Sequence, residues 1–94
     1  MDKAIQREIY ADVLERLIIH LQNRTDVQNI ELMNLSGFCR NCLSKWYVAA
    51  AEKKNIKVDY DKARELIYGM PYNEWKNKYQ KEVTKEQLEK LKEK

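Results

Sequence analysis

The sequence predicts an all-α fold, a compact bundle of five or six short helices. Apolar residues recur at helical spacing in nearly every segment. Only two Gly and one Pro occur among 94 residues, too few for the turns of a β sandwich or barrel. Both glycines also fall where a helical pattern stops, the place that favours a residue able to turn left-handed. A chain this short builds one hydrophobic core, so residues 1–94 are expected to form a single helical domain.

The first helix is expected from about Lys3 to Gln22. Ile5, Ile9, Val13, Leu17 and Leu21 recur every four residues, with Leu14 and Ile18 beside them. A stripe that wide reads as the core-facing side of a helix. Thr25-Asp26-Val27-Gln28 then has the form of a capping box opening a second helix, which carries Val27, Ile30, Leu32, Met33 and Leu35 and ends at Ser36-Gly37. A third helix is expected from about Phe38 to Lys54, with Cys39, Cys42, Leu43, Trp46 and Ala50 on one inward face. Lys53 and Lys54 suit its negative end, and Asn55 suits a left-handed stop. Asp59 should cap a fourth helix holding Ala63, Leu66 and Ile67 and ending at Gly69. Pro71 fits the first turn of a fifth, where its missing N–H is no loss. Thr84-Lys85-Glu86-Gln87 is a second capping box. The lysine-rich tail it opens, residues 84–94, has only Leu88 and Leu91 to bury, so it is expected to fray or to pack on a partner.

The charge balance is even: 18 Lys+Arg against 15 Asp+Glu, net +3. Nucleic-acid modules usually carry a larger basic excess, so nucleic acid is not the expected partner. Residues 37–58 hold Arg40, Lys45, Lys53, Lys54 and Lys57 against Glu52 alone, which reads first as the solvated side of a helix. Tyr68, Tyr72, Trp75 and Tyr79, interleaved with Lys76 and Lys78, could stack bases and neutralise phosphates. Their spacing reads more simply as core aromatics with lysines reaching outward. No apolar run is long enough for a membrane span, and the N-terminus has no apolar signal core. With two cysteines only, a reducing cytoplasm is the expected compartment.

Chemistry concentrates in Cys39-Arg40-Asn41-Cys42. Residues i and i+3 of a helix share a face, so both thiols can reach one ion or each other. Three readings stand. The thiols pack as small hydrophobes beside Leu43 and Trp46. Alternatively they bind a metal, zinc being the natural choice, with the sole histidine, His20, as third ligand. A closed site then needs a fourth ligand from Asp26, Glu31, water or another chain. Third, Cys39 is a redox thiolate, favoured by a helix start and by Arg40, although the βαβ setting of thioredoxin-like proteins is missing. His20 also has a simpler role, as a cation at a helix C-terminus. No Ser-His-Asp order, HExxH or phosphate-cradling glycine loop is present. Asp59 and Asp61 read as capping groups before acid–base ones.

The strings Arg24-Thr25-Asp26-Val27-Gln28-Asn29, Leu32-Met33-Asn34-Leu35, Gly37-Phe38-Cys39-Arg40-Asn41-Cys42-Leu43 and Tyr68-Gly69-Met70-Pro71-Tyr72-x-x-Trp75-Lys76 together resemble a family of short, mainly bacterial proteins classed as a domain of unknown function. The resemblance covers about residues 10–82, leaving the tail after Val83 outside. It implies an all-helical, soluble, single-domain protein and marks Cys39–Cys42 as a family feature, without a role for it. Two function classes follow. One is a non-catalytic binding or interaction module, with Arg24, Asp26, Arg40 and Asn41 as ligand- or partner-binding residues beside Cys39, Cys42 and His20 near the helix 1–2 turn. The other is a small thiol-redox or metal-dependent enzyme using Cys39. Several apolar stripes sharing so small a core also point to a homodimer.

Overall fold

The computed structural model describes residues 1–93, and within them six α-helices and no strand. They are α1 (Lys3–Asn23), α2 (Asn29–Ser36), α3 (Arg40–Glu52), α4 (Tyr60–Tyr68), α5 (Tyr72–Tyr79) and α6 (Lys85–Lys92). The expected stops are in place. Gly37 and Gly69 follow α2 and α4 with φ of +80° and +78°, and Asn55 turns left-handed at φ +61° after α3. Asp59 caps α4 by accepting from the Asp61 amide at 3.3 Å. Thr84 and Gln87 form the reciprocal box at α6, with bonds of 2.9 and 3.1 Å.

Three boundaries differ from expectation. Helix α2 starts at Asn29, with Gln28 as its N-cap, because residues 24–27 form a turn. The Glu31 carboxylate accepts from the Gln28 amide at 2.8 Å, which closes the helix start. Gln28 turns its side chain elsewhere, donating to Tyr79 O and accepting from Lys81 N, both at 2.9 Å. Helix α3 begins two residues later than expected: Cys39 is its N-cap, in extended backbone. Pro71 likewise sits one position before its helix, as the N-cap of α5.

The core gathers Leu21, Leu43, Ile67, Tyr68 and Trp75, edged by Ile18, Leu32, Phe38, Met70, Tyr72 and Tyr79. The two most extensively packed helices are α3 and α4. Each contributes a small, fully buried residue, Ser44 and Ala63, which permits close backbone approach. The Tyr68 ring meets Tyr72 and Trp75 edge-on at 5.4 and 5.1 Å, and Trp75 continues to Tyr79 at 5.8 Å. The aromatic segment is therefore core, as its spacing indicated. Within the described residues the lysine-rich tail forms α6, which packs on α2, with Asn34 Nδ2 donating to Gln87 O at 3.0 Å.

Helix α1 departs most from its sequence reading. Its stripe was expected to face the core, yet Ile5, Ile9, Val13, Leu14 and Leu17 remain 38–62 % exposed and only Leu21 is buried. The reason is length. Twenty-one residues span about 31 Å at 1.5 Å per residue, and α1 packs on α4, a helix of nine residues. The overhang stretches the molecule to 47 × 28 × 24 Å. Trp46, expected inward beside Leu43, is also 57 % exposed and lies against Phe38 at 6.0 Å.

Candidate functional site

The start of α3 abuts the end of α1, and one side chain makes the junction. Arg40, the first residue of α3, is 1 % exposed. Its Nη1 donates to Val27 O at 2.8 Å and to Asn29 Oδ1 at 3.0 Å. Its Nη2 donates to Arg24 O at 2.8 Å and, more loosely, to Leu21 O at 3.4 Å. The guanidinium carbon also lies 4.9 Å from the centroid of the Trp75 ring. The carbonyls of Leu21 and Arg24 belong to the last turn of α1 and its cap, where a helix presents partial negative charge. A planar cation with five donors suits so many diverging acceptors, and a lysine would not. Burial lowers the Arg40 pKa from its ordinary value, opposed by nearby acidic groups including Tyr68 and Cys39, yet an arginine stays charged in any such setting.

Asn41 is also used internally. Its Oδ1 accepts from the Tyr68 hydroxyl at 2.7 Å, and that hydroxyl accepts from Asn29 Nδ2 at 3.0 Å. Burial pushes the Tyr68 hydroxyl well above its ordinary pKa, while the Asn29 bond acts in the opposite direction. Asn29, Tyr68, Asn41 and Arg40 thus form one polar network joining α2, α3 and α4. Arg24 and Asp26 sit outside it and pair with each other on the surface, through two bonds of 3.0 Å. Of the four residues expected to meet a ligand, Arg40 and Asn41 make the internal bonds of this corner, and Arg24 and Asp26 lie exposed beside it.

The thiols flank Arg40 and Asn41 at the start of α3. Cys39 is buried, Cys42 is half-buried, and both are free. Their sulfurs lie 3.8 Å apart, and Cys42 Sγ is 3.9 Å from Met33 Sδ on α2. Burial raises the Cys39 thiol pKa, only partly offset by the amides of Cys42 and Asn41. That direction opposes the lowered pKa a thiolate nucleophile requires.

His20 is not brought to the cysteines. It lies exposed on α1, in a shallow depression with Asp12, Glu15, Arg16, Ile19 and Asn23. Among the described residues no group of three or more His, Cys, Asp or Glu is placed to hold a metal ion, so the set Cys39, Cys42 and His20 expected from sequence is not assembled. The tight turn of residues 24–27 and the Arg40 clamp fix α3 against the end of α1, while the histidine stays exposed on α1.

The sequence reading missed three participants. Asn29 and Tyr68 complete the polar network, and Met33 supplies a sulfur beside the thiols. Met33 fitted a core position on α2, and only the turn at Gly37, which brings the start of α3 back onto α2, reveals its neighbours.

The family model described as Protein of unknown function (DUF1244) matches residues 27–93. The chain belongs to this family. The DUF1244 match runs from the turn after α1 through α6, so it contains the whole Cys39–Cys42 corner and Met33. It starts later than the resemblance read from sequence and includes the lysine-rich tail. No curated protein is similar to this DUF1244 chain. Among the described residues no helix is long and apolar enough to cross a membrane.

Proposed function

We propose that the protein is a non-catalytic interaction module that works as a homodimer, joined through α1 and α3. The observation that carries this reading is an apolar groove of about 640 Å³ between the two helices. Its lining includes Leu14, Leu17 and Ile18 of α1, Phe38 in the turn before α3, and Trp46 and Tyr47 of α3. Next to it, Ile5, Ile9, Val13 and Leu17 make one continuous ridge of i±4 spacing. Two such ridges interlock at about −50°, the commonest helix crossing, and a two-fold axis lets one surface serve both copies.

The area is sufficient. Ile5, Ile9, Val13, Leu14, Leu17, Trp46 and Tyr47 are between 38 and 62 % exposed. Together they present on the order of 700 Å² per chain, near the ~800 Å² each partner contributes to a standard interface. A helix of this length whose apolar ridge meets only water is marginal, so a second copy stabilises α1 as well as filling the groove.

Sedimentation equilibrium tests the reading. Wild-type protein is expected at twice the monomer mass, and Val13→Glu at the 11.3 kDa of one chain. Val13 is 62 % exposed, so the charge leaves the monomer's core untouched. Wild type remaining at one-chain mass at high micromolar concentration refutes the dimer.

A further inference from the structure

We propose that Met33, Cys39 and Cys42 form a three-sulfur site for copper(I). This goes beyond the interaction role and does not depend on it. Three features of the geometry support it. The first is spacing. Two sulfurs bound at about 2.3 Å to a shared ion lie roughly 3.8 Å apart in tetrahedral and 4.0 Å in trigonal geometry. The observed separations are 3.8 Å between Cys39 and Cys42 and 3.9 Å between Cys42 and Met33. Cys42 is thus already at ligand spacing from each of the other two sulfurs, held there by weak S–H contacts whose protons an ion would replace.

The second is donor chemistry. Thiolate and thioether are soft ligands, and soft ligands select copper(I). A hard or borderline ion needs nitrogen or oxygen donors to complete its sphere. Among the described residues no His, Asp or Glu joins the cysteines in a group of three. Structural zinc takes four ligands, whereas three sulfurs suffice for a trigonal monovalent ion. The third is access and charge. Cys39 is buried while Cys42 and Met33 are half-buried, so an ion enters from one side and is sheltered on the other. On binding, both thiols release their protons to solvent and the complex carries one negative charge. That charge sits at the N-terminus of α3, where the helix dipole favours it, within electrostatic reach of Arg40; bonding to the ion offsets the burial that raises the pKa of the free Cys39 thiol. The turn at Gly37 joins the two helices that carry the ligands, so the site is local and needs no second chain.

The reduced full-length protein is titrated with copper(I), supplied as its acetonitrile complex, against a chromogenic copper(I) chelator. One ion per chain is expected. Cys42→Ser abolishes binding, Met33→Leu weakens it by at least about 10-fold, and His20→Ala leaves it unchanged. Far-UV circular dichroism checks that the variants fold. X-ray absorption of the loaded wild type provides a reading free of any variant: three sulfur neighbours near 2.3 Å and no nitrogen. Absence of wild-type binding, two chains per ion, full affinity in Met33→Leu, or a nitrogen ligand overturns the proposal.

Discussion

Replacing Arg40 by methionine keeps much of the side-chain bulk and deletes the guanidinium. Val27 O, Asn29 Oδ1 and Arg24 O then lose donors now 2.8–3.0 Å away, and Trp75 loses its cation. A buried acceptor left without a partner costs about 1–3 kcal/mol, and a cation–π contact adds about 1. Some of these carbonyls can recover water at the partly exposed turn, so the net loss should be about 3–5 kcal/mol, a large fraction of a typical 5–15. With a urea slope of about 1–3 kcal/mol/M, the unfolding midpoint should fall by roughly 2 M. Arg40→Lys keeps the charge but cannot reach diverging acceptors, so it should recover less than half of the loss. Both are measured by urea titration at one protomer concentration, since association shifts apparent stability. A midpoint within about 0.3 M of wild type for Arg40→Met would show that the corner stands without its clamp, and the reasoning fails.

Other outcomes follow from the same contacts. Gly37→Ala should cost about 1 kcal/mol for left-handed backbone alone, because nothing lies within 4 Å of the added carbon. Gly69→Ala should cost about 2–3 kcal/mol, since its Cβ would meet the Gln22 side chain at 2.9 Å and dislodge its bonds to Leu66 O and Ile67 O; equal melting shifts for the two would contradict this. Burial raises the Tyr68 pKa above its ordinary 10.0. A raised folded value lends stability that is complete below the unfolded pKa and drains away as pH climbs toward the folded one. Wild type should therefore lose stability above pH ~10 more steeply than Tyr68→Phe, as urea titrations across alkaline pH would reveal. Gln28→Ala should cost about 2 kcal/mol and raise amide exchange at Lys81, whose N–H now donates to the glutamine.

The helix stops were legible because they depend on single residues: Gly37, Gly69 and Asn55 each meet a local backbone demand that few side chains tolerate. The Thr84–Gln87 box was legible for the same reason. Boundaries set by longer-range bonds were not. Thr25 has the chemistry of a cap, yet Gln28 takes the position while its side chain links to residues 79 and 81, some fifty places onward. The α1 stripe was legible as apolar, but periodicity specifies a face without specifying what covers it. At the site, C-x-x-C correctly placed two sulfurs together, since that contact is made within one turn of chain. Which of His20 and Met33 lies beside the thiols was not legible, because their positions depend on the angle at which α2 returns, and no local pattern encodes that angle.

Arg40 reaches back across the corner to Leu21 and Arg24, and it rests against Trp75 from far along the chain. During synthesis, the bend between the first two helices is therefore made before the group that fastens it has left the ribosome. The ring that seals that group arrives thirty-five residues later still. Native order at this bend must come late, and a fragment ending before residue 40 should show α1 without a settled exit from it.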